Sequence, residues 1–407
     1  MELKPGYKQT EVGVIPEEWK SSTVRGLASS ARNAIVGGPF GSDLVSRDYV
    51  EHGVPVIRGQ NMSGQWVSGT FVFVTPAKAK SLEANLARPG DIVFTQRGTL
   101  GQVSLVPGKP FESYLVSQSQ MKLSVNREVA DPLFFFYVFT SEKQQELISG
   151  GTIQTGVPHI NLGILRAIPV QLPPLPEQRA IAGALSDVDE LIGALEKLIA
   201  KKRDLKQAAM QQLLTGQIRL PGFHGKWEVK RLGEIAEIVM GQSPSSSNYN
   251  AKGVGLPLIQ GNADIANRKT IRRIFTTEIT KRGKCGDILM SVRAPVGEIS
   301  RAAFDVCLGR GVCAIRYDND FMYHYLISQE PSWAKLSKGS TFDSVNSVDV
   351  KALEIHLPIN ADEQTAIAEV LSDMDAELAA LMQRRDKTRA LKQGMMQELL
   401  TGRTRLV

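Results

Sequence analysis

This chain is written twice. Residues 177–220 read EQRAIAGALSDVDELIGALEKLIAKKRDLKQAAMQQLLTGQIRL, and residues 363–406 read EQTAIAEVLSDMDAELAALMQRRDKTRALKQGMMQELLTGRTRL. The two align without a gap, with about half the positions identical, far above chance for unrelated helices. Upstream the repeat continues more weakly. VPVIRGQN at 54–61 matches LPLIQGNA at 256–263, and PGDIVFTQRGTLGQVS at 89–104 matches CGDILMSVRAPVGEIS at 285–300. FFFYVFTSE at 134–142 matches MYHYLISQE at 322–330, and HINLGILRAIPVQLP at 159–173 matches SVNSVDVKALEIHLP at 344–358. Each half is thus a mixed globular segment followed by a helix. The helices stay similar while the globular parts diverge, as two interchangeable scaffolds carrying two different readers would.

The helical copies carry heptad seams. In the first, Ile181, Leu185, Val188, Ile192, Leu195 and Ile199 alternate four and three apart; in the second, Ile367, Leu371, Met374, Leu378 and Leu381 do the same. Both seams falter, at Lys202 and Lys206 and at Arg385 and Thr388, which predicts a local change of register. They resume through Leu205 or Leu391 and end at Leu213 or Leu399. Pro176 suits the first turn of the first helix, and Asn360 with Glu363 resembles a capping box for the second. Gly216 and Gly402 sit where a left-handed C-cap belongs, and Pro221 forbids continuation. Each helix is expected to span about 37 residues, roughly 55 Å. An apolar stripe is not left in water, so the helices are expected to pack antiparallel. That arrangement puts one globular domain at each end and returns the C-terminus to the N-terminus, giving a pseudo-two-fold molecule. One reading is that the helices merely stiffen the protein; if the two ends contact one B-DNA duplex, they also act as a ruler with an upper limit of roughly 16 base pairs between them.

The globular segments read as short strands between turn residues: Val54–Ile57, Asp91–Thr95, Gln102–Val106, Gln120–Val125, Leu256–Ile259, Asp287–Ser291 and Val312–Arg316, with helical patterns near 131–148 and 320–336. The fold class is mixed α+β, with two α/β recognition domains separated by two long antiparallel coiled-coil helices. The expected boundaries are 1–174 for the first reader, 175–216 for the first helix, 217–225 for a linker, 226–359 for the second reader and 360–402 for the second helix.

Loops between the strands are rich in residues that hydrogen-bond to bases and phosphates. Arg matches guanine, and Asn or Gln matches adenine. In the first half the candidates are Arg58, Gln60, Asn61, Arg97, Thr99, Gln154, Thr155 and His159. In the second they are Gln260, Asn262, Arg268, Lys269, Arg293, Arg310, Lys338, Ser340 and Thr341. Turns everywhere use such residues, so each loop also has a purely structural reading. Arg97 and Arg293 occupy matching repeat positions and are expected to share a role: phosphate binding, base reading or a structural ion pair.

Composition narrows the choice without making it. The 407 residues are too many for one ordinary domain. A net charge of +6 and an isoelectric point near 9.1 permit nucleic-acid binding but do not require it. Cys285, Cys307 and Cys313 form no CxxC pair and are expected to be buried structural thiols. His52, His159, His224, His324 and His356 are scattered, so no metal site is expected. No GxxxxGK[ST], no GxGxxG after a strand and no HExxH is present, so no catalytic residue is assigned. The longest apolar cluster, Leu133–Phe139, is too short to span a bilayer, and residues 1–20 lack a signal-peptide run; the protein is expected in the cytoplasm.

Several stretches together resemble the specificity subunit of type I restriction–modification enzymes. They are YKQTEVGVIPEEW at 7–19, GGPFGSDL at 37–44 with VPVIRGQNM, LPPLPEQRAIA with LKQAAMQQLLTG, the repeated EQTAIA with LKQGMMQELLTG, and GKWEVKRLGEIAEIVMGQSPSSSNYN at 225–250. The resemblance covers nearly the whole chain. It implies a subunit that binds a bipartite double-stranded DNA site, one half per reader, with unspecified base pairs between. It implies two methyltransferase subunits that hold S-adenosylmethionine and methylate adenine, and restriction subunits that use ATP and Mg to cleave unmodified DNA. Catalysis and cofactors then belong to the partners, and the target adenine is flipped into a partner's pocket. Cys285 stands where Pro is common in the family before Gly-Asp, and QTGVPH lengthens one loop of the first reader relative to KGSTF in the second. A stand-alone nuclease or methyltransferase, and a coiled-coil scaffold without base recognition, are the competing readings.

Overall fold

The computed structural model describes residues 5–151, 158–339 and 345–406, apart from the side chains of 334–339. The chain divides into two compact units, Met1–Ala194 with Arg385–Val407, and Leu195–Arg384. Each unit combines one globular segment with a piece of each long helix.

In the first unit a four-stranded antiparallel sheet runs in the order Val103–Leu105, Ile92–Thr95, Gln120–Leu123, Ile35–Gly37. A five-stranded sheet runs Tyr49–Val50, Val72–Val74, Val54–Ile57, Tyr114–Val116, Leu86–Ala87, and its one parallel pair is Val54–Ile57 with Tyr114–Val116. Successive strand side chains point to opposite faces. Ile92 and Phe94 therefore join Phe134, Phe135 and Phe139 in one core, while Val93 joins Ile57, Tyr114 and Val116 in another. One strand feeding two cores explains why Ile92–Thr95 is buried on both faces; its neighbour Gln120–Leu123 is buried as well but alternates Gln120 and Lys122 with the apolar Met121 and Leu123.

The second unit repeats the plan. Ile288–Ser291 lies between Val312–Arg316 and Ile299–Arg301, with Glu237–Met240 on the far side of Val312–Arg316. Leu256–Ile259 pairs parallel with Val306–Leu308. Ile288 and Met290 enter one core and Leu289 the other.

Several expectations need adjustment. Asp91 and Asp287, read as strand starts, lock the preceding turns: their carboxylates accept from the Arg88 and Lys284 amides at 2.9 and 2.8 Å. Each is neutralised by a cation from the neighbouring strand, Lys122 at 3.6 Å and Arg316 at 3.1 Å. Burial pushes the Lys122 ammonium below its ordinary range, with Asp91 opposing that shift. The pattern near 131–148 forms two helices, Pro132–Thr140 and Glu142–Gly150, separated by Ser141 in extended geometry. In the second unit the counterpart is one helix, Phe321–Gly339. Cys307 and Cys313 are buried, but Cys285 is exposed; burial pushes the Cys313 thiol up to about 12.

The long helices span Leu175–Leu213 and Ala361–Leu399, 39 residues each. Within each unit their pieces run antiparallel. In the second, Lys202 meets Glu377 at 2.7 Å and Lys206 meets Asp375 at 2.5 Å; in the first, Asp189 meets Lys392 at 2.7 Å. The faltering seam is thus met by ion pairs rather than apolar contact. Leu205 and Leu391, expected to resume it, are exposed. Ile181, Leu185 and Leu399 share a core with the strands of the first unit, and Leu213, Ile367 and Leu371 with those of the second. Leu195, Ile199 and Leu378 are buried, while Val188, Ile192, Met374 and Leu381 are half-buried.

Asn360 caps its helix through the Asp362 amide at 2.8 Å, but no capping box forms because Glu363 turns away to the Arg219 guanidinium. Arg405 holds Glu177 in the same way in the first unit. Both carboxylates are buried, and each arginine lies over an indole, Trp227 and Trp19. Gly216 and Gly402 adopt φ of +70° and +71°, and a Cβ on either would lie 3.1 Å from that same indole. The two glycines are thus required twice over, by conformation and by space.

Candidate nucleic-acid interface

Strand register gathers the polar loops of each globular segment at one end of its sheets. In the first unit Thr95 pairs with Gln120 and Met121 with Gly37, so the loops at 96–102, 117–119 and 38–41 leave the same edge. Val54–Ile57 and Tyr114–Val116 are parallel and end together, which brings Arg58 beside Ser117; the Ser117 amide donates to the Ile57 carbonyl at 3.1 Å. Gln102 closes the gap by donating to the Gly59 carbonyl at 3.4 Å. Arg97 forms a β-bridge with His159, adding a further loop to the rim.

The second unit builds the same rim. Ser291 pairs with Val312 and Met240 with Cys313, so the loops after Met240, Ile259, Ser291 and Leu308 converge. One position shows how tightly the frame is conserved between copies. A Cβ on Gly38 would lie 1.8 Å from the Ser117 carbonyl oxygen, and one on Gly241 would lie 2.1 Å from the Gly309 carbonyl oxygen. Both are far inside van der Waals contact, so only glycine lets the two loops approach.

The rim sorts the residues expected to bind DNA. Arg97, Thr99, Arg293 and Arg310 are exposed there, and Arg58 is half-buried. The guanidinium groups of Arg58, Arg97, Arg293 and Arg310 have no partner among the described residues, and the buried Nε of Arg58 has no hydrogen bond. By contrast, Arg268, Arg273, Arg282, Arg301 and Arg316 each pair with a carboxylate. Gln260 is exposed and donates to the Tyr249 hydroxyl at 2.9 Å, and Gln60 is exposed and donates to the Thr70 carbonyl at 3.1 Å. Unpaired cations beside exposed amides form an anion-attracting, hydrogen-bonding surface suited to phosphates and base edges.

Other expected residues serve the frame. Asn61 is fully buried; its Oδ1 accepts from the Arg58 amide at 3.1 Å, and its Nδ2 donates to the Ser68 and Thr70 carbonyls at 3.0 Å. It locks the turn that carries Arg58 and cannot reach a base. Arg268, at φ +59°, is held by both Glu330 oxygens at 2.6 and 2.8 Å, so its guanidinium is occupied by that helix and not offered to DNA. Those hydrogen bonds raise its pKa further above the ordinary arginine range. Asn262 donates to Glu298. Lys269 is exposed on a short strand away from the rim, and His159 is half-buried. Gln154, Thr155, Ser340 and Thr341 lie outside the described residues, as does the Lys338 side chain.

Sequence reasoning missed Phe40, Gln96, Gln102 and Gln118 in the first rim, and Gln242 and Ser243 in the second. The available signal was register: aligning VSQSQ at 116–120 with LGRGV at 308–312 through their strands places both turns at the same edge. Among the described residues no group of three or more His, Cys, Asp or Glu is arranged to hold a metal, and no helix is long and apolar enough to cross a membrane.

A duplicated frame with a polar, cationic loop edge in each copy defines a two-reader nucleic-acid recognition protein. The chain belongs to the type I restriction modification DNA specificity domain family, which matches residues 16–203 and 224–389. It is 31% identical to a putative type I restriction enzyme MjaX specificity subunit from Methanocaldococcus jannaschii, over 98% of this chain and 97% of that one. A structure described in a study of complex assembly and conformational transition of the type I R-M system is 25% identical. It has a TM-score of 0.59 and covers 95% of this chain and 99% of its own. The type I restriction–modification S subunit from M. genitalium shares the fold, with a TM-score of 0.64 at 17% identity over 98% of each chain.

Proposed function

We propose that each rim reads one half of a bipartite double-stranded DNA site and that residues 1–174 and 226–359 are the two reading domains. The single observation that supports this most is the pair of rims: one frame, built twice, with unpaired arginines and differing side chains at the same edge. In a duplex the arginines contact phosphates or guanine, and the exposed glutamines contact base edges. The frame supplies position, and the rim supplies sequence.

On this reading the chain catalyses nothing itself. Two methyltransferase subunits provide S-adenosylmethionine chemistry at adenine, and restriction subunits provide ATP- and Mg-dependent cleavage. The assembly works in the cytoplasm. Family membership and the likeness to a structure from a type I assembly favour these partners.

The test is a methylome. The chain is expressed with its neighbouring methyltransferase in an unmethylated host, and modified adenines are mapped by single-molecule sequencing. A single split motif with a fixed gap is expected. A soluble complex with an active methyltransferase and no modified motif contradicts the proposal. Cleavage or methylation by the purified chain alone contradicts the assignment of catalysis to partners.

A further inference from the structure

Each reader contains a parallel strand pair, and both strands of that pair end at the rim. In the first unit Leu115 pairs with Val56 and Val116 with Ile57; in the second Leu258 pairs with Cys307 and Ile259 with Leu308. This register makes the residues that follow equivalent. Arg58 corresponds to Gln260, directly after the first strand of the pair, and Gln118 corresponds to Arg310, in the turn after the second. The first reader thus carries arginine and then glutamine at these two places, and the second carries glutamine and then arginine. The pair is exchanged between copies.

The two places adjoin in both readers. The Ser117 amide donates to the Ile57 carbonyl at 3.1 Å, and the Gly309 amide donates to the Ile259 carbonyl at 2.7 Å. A Cβ on Gly309 would lie 2.9 Å from Gln260 Cγ, and one on Gly311 would lie 2.0 Å from the Gln260 carbonyl oxygen, so the turn that bears Arg310 lies directly against Gln260. Both arginines have a fixed backbone: the Arg58 amide donates to Asn61 Oδ1 and the Arg310 amide to Ser243 Oγ, each at 3.1 Å. The glutamines are used locally. Gln118 Nε2 donates to the Gly41 and Leu44 carbonyls at 2.6 and 2.7 Å, and Gln260 Nε2 donates to the Tyr249 hydroxyl at 2.9 Å. The arginines are not: neither guanidinium has a partner among the described residues, and the Arg58 Nε is buried without a hydrogen bond.

The exchange separates what is needed from what supplies it. The two rims differ in their side chains, as readers of two different half-sites would. Yet each keeps a cation at the end of its parallel pair, from one strand or from the other. A base-reading residue is free to change with the base. A positive charge that persists while its source moves fits a ligand present in every half-site, and in duplex DNA that ligand is the phosphate backbone. Arg58 also stands in VPVIRGQNM, one of the stretches that carry the family resemblance, where a residue tracking one target would not belong.

We propose that the end of the parallel strand pair is a phosphate anchor in both readers, supplied by Arg58 in the first and by Arg310 in the second, which sets each reader's register on the duplex without selecting a base. This rests on the reading of the rims as DNA-binding surfaces.

The test uses the complex of the full chain with its methyltransferase and duplexes carrying the mapped motif. Each phosphate of a half-site is replaced in turn by an uncharged methylphosphonate. Wild type is expected to lose roughly tenfold in binding at one position of each half-site, the size of one hydrogen bond to a charged group. Arg58→Gln should be indifferent to that change in the first half-site, and Arg310→Gln to that in the second. Each variant should lower the slope of log K against log salt by about 1 and leave the modified motif unchanged. Arg58→Lys, which keeps the charge, should keep the slope. Arg310→Gln combined with Gln260→Arg returns the cation from the other strand and should regain most of the lost slope and affinity. A motif relaxed at one base pair with an unchanged slope makes these arginines base readers and overturns the proposal. So do an unchanged slope and affinity, a slope lost equally in Arg58→Lys, or a double variant no better than Arg310→Gln alone. A complex that modifies no split motif refutes the DNA reading itself, a different failure from one that modifies a motif and ignores the neutral phosphates.

Discussion

In the first reader the loop after Ile35–Gly37 offers Phe40 to solvent. In the second the loop after Glu237–Met240 offers Ser243, whose hydroxyl accepts from the Arg310 amide at 3.1 Å. Behind these loops the units differ in detail, a four-stranded sheet and two helices in the first against a six-stranded sheet and one helix in the second, but key features of the frame recur. The glycine that lets the loop pass, the buried aspartate that ties the turn before the central strand, and the parallel pair are the same in both. The loops differ where they leave the sheets, while these features of the frame recur. A protein that must change what it reads without refolding has to be built in this way, because core substitutions cost stability and loop substitutions rarely do.

The comparison can be broken first at the junctions with the long helices. Glu177 receives the Trp19 indole N–H at 2.9 Å as well as Arg405, whereas Glu363 holds Arg219 while the buried Trp227 N–H has no partner among the described residues. Replacing either glutamate with alanine should cost about 3 kcal/mol, because a cation and buried packing lose their partner. Glu177→Ala should cost more, because it also orphans an indole. Equal losses in denaturant unfolding of the full chain would remove this asymmetry.

A second contrast lies within the first rim. Asn61→Ala should lower stability by about 1–3 kcal/mol, since it orphans buried backbone groups. Arg58→Ala should leave the unfolding transition in place and weaken DNA binding by the complex. The reverse pattern would exchange their roles.

Arg97 and Arg293 sharpen the equivalence of the readers. If both touch phosphate, each alanine variant should reduce the slope of log K against log salt by about 1 and weaken all sequences alike. Relaxed base preference at one position, with an unchanged slope, assigns base reading instead.

The last contrast depends on pH. In the second unit His324 is buried, its Nε2 3.0 Å from the Ser372 hydroxyl and its Nδ1 4.0 Å from Asp375. Burial, with Lys206 nearby, lowers its pKa to about 4. The unfolded chain, with an ordinary histidine near 6.5, takes the proton first. The contribution of neutral His324 is therefore complete above about pH 6.5 and is lost as the pH falls toward 4. In the first unit Tyr137 meets Asp189 instead, at 2.9 Å, and has no charge change in that range. Unfolding followed between pH 4 and 7 should show His324→Phe to be flatter than wild type. Identical profiles would mean that other groups govern the window.

Much of this organisation was legible in the sequence. The ungapped EQ…LLTG repeat, the helix-ending Gly216 and Gly402, and the central strands could be read directly, because periodicity and backbone exceptions are local. The rims were legible only in part. Arg58, Arg97 and Arg293 were named from composition, but so were Asn61 and Arg268, which spend their hydrogen bonds inside the fold. Whether a loop Asn or Arg faces water or its own backbone is decided by long-range pairing, which no local pattern encodes. Phe40 was quoted within the GGPFGSDL loop but not singled out, because its exposure is set by the fold and not by any local pattern. Leu205 and Leu391 were placed in a seam that charged pairs had already filled.

The account's central claim is that each reader acts on its own half-site. The most direct measurement replaces residues 226–359 with the corresponding segment of another specificity subunit and maps modified adenines in cells carrying the methyltransferase. A motif that keeps the half read by residues 1–174 and changes only the other half is the predicted result. A motif changed in both halves would contradict it.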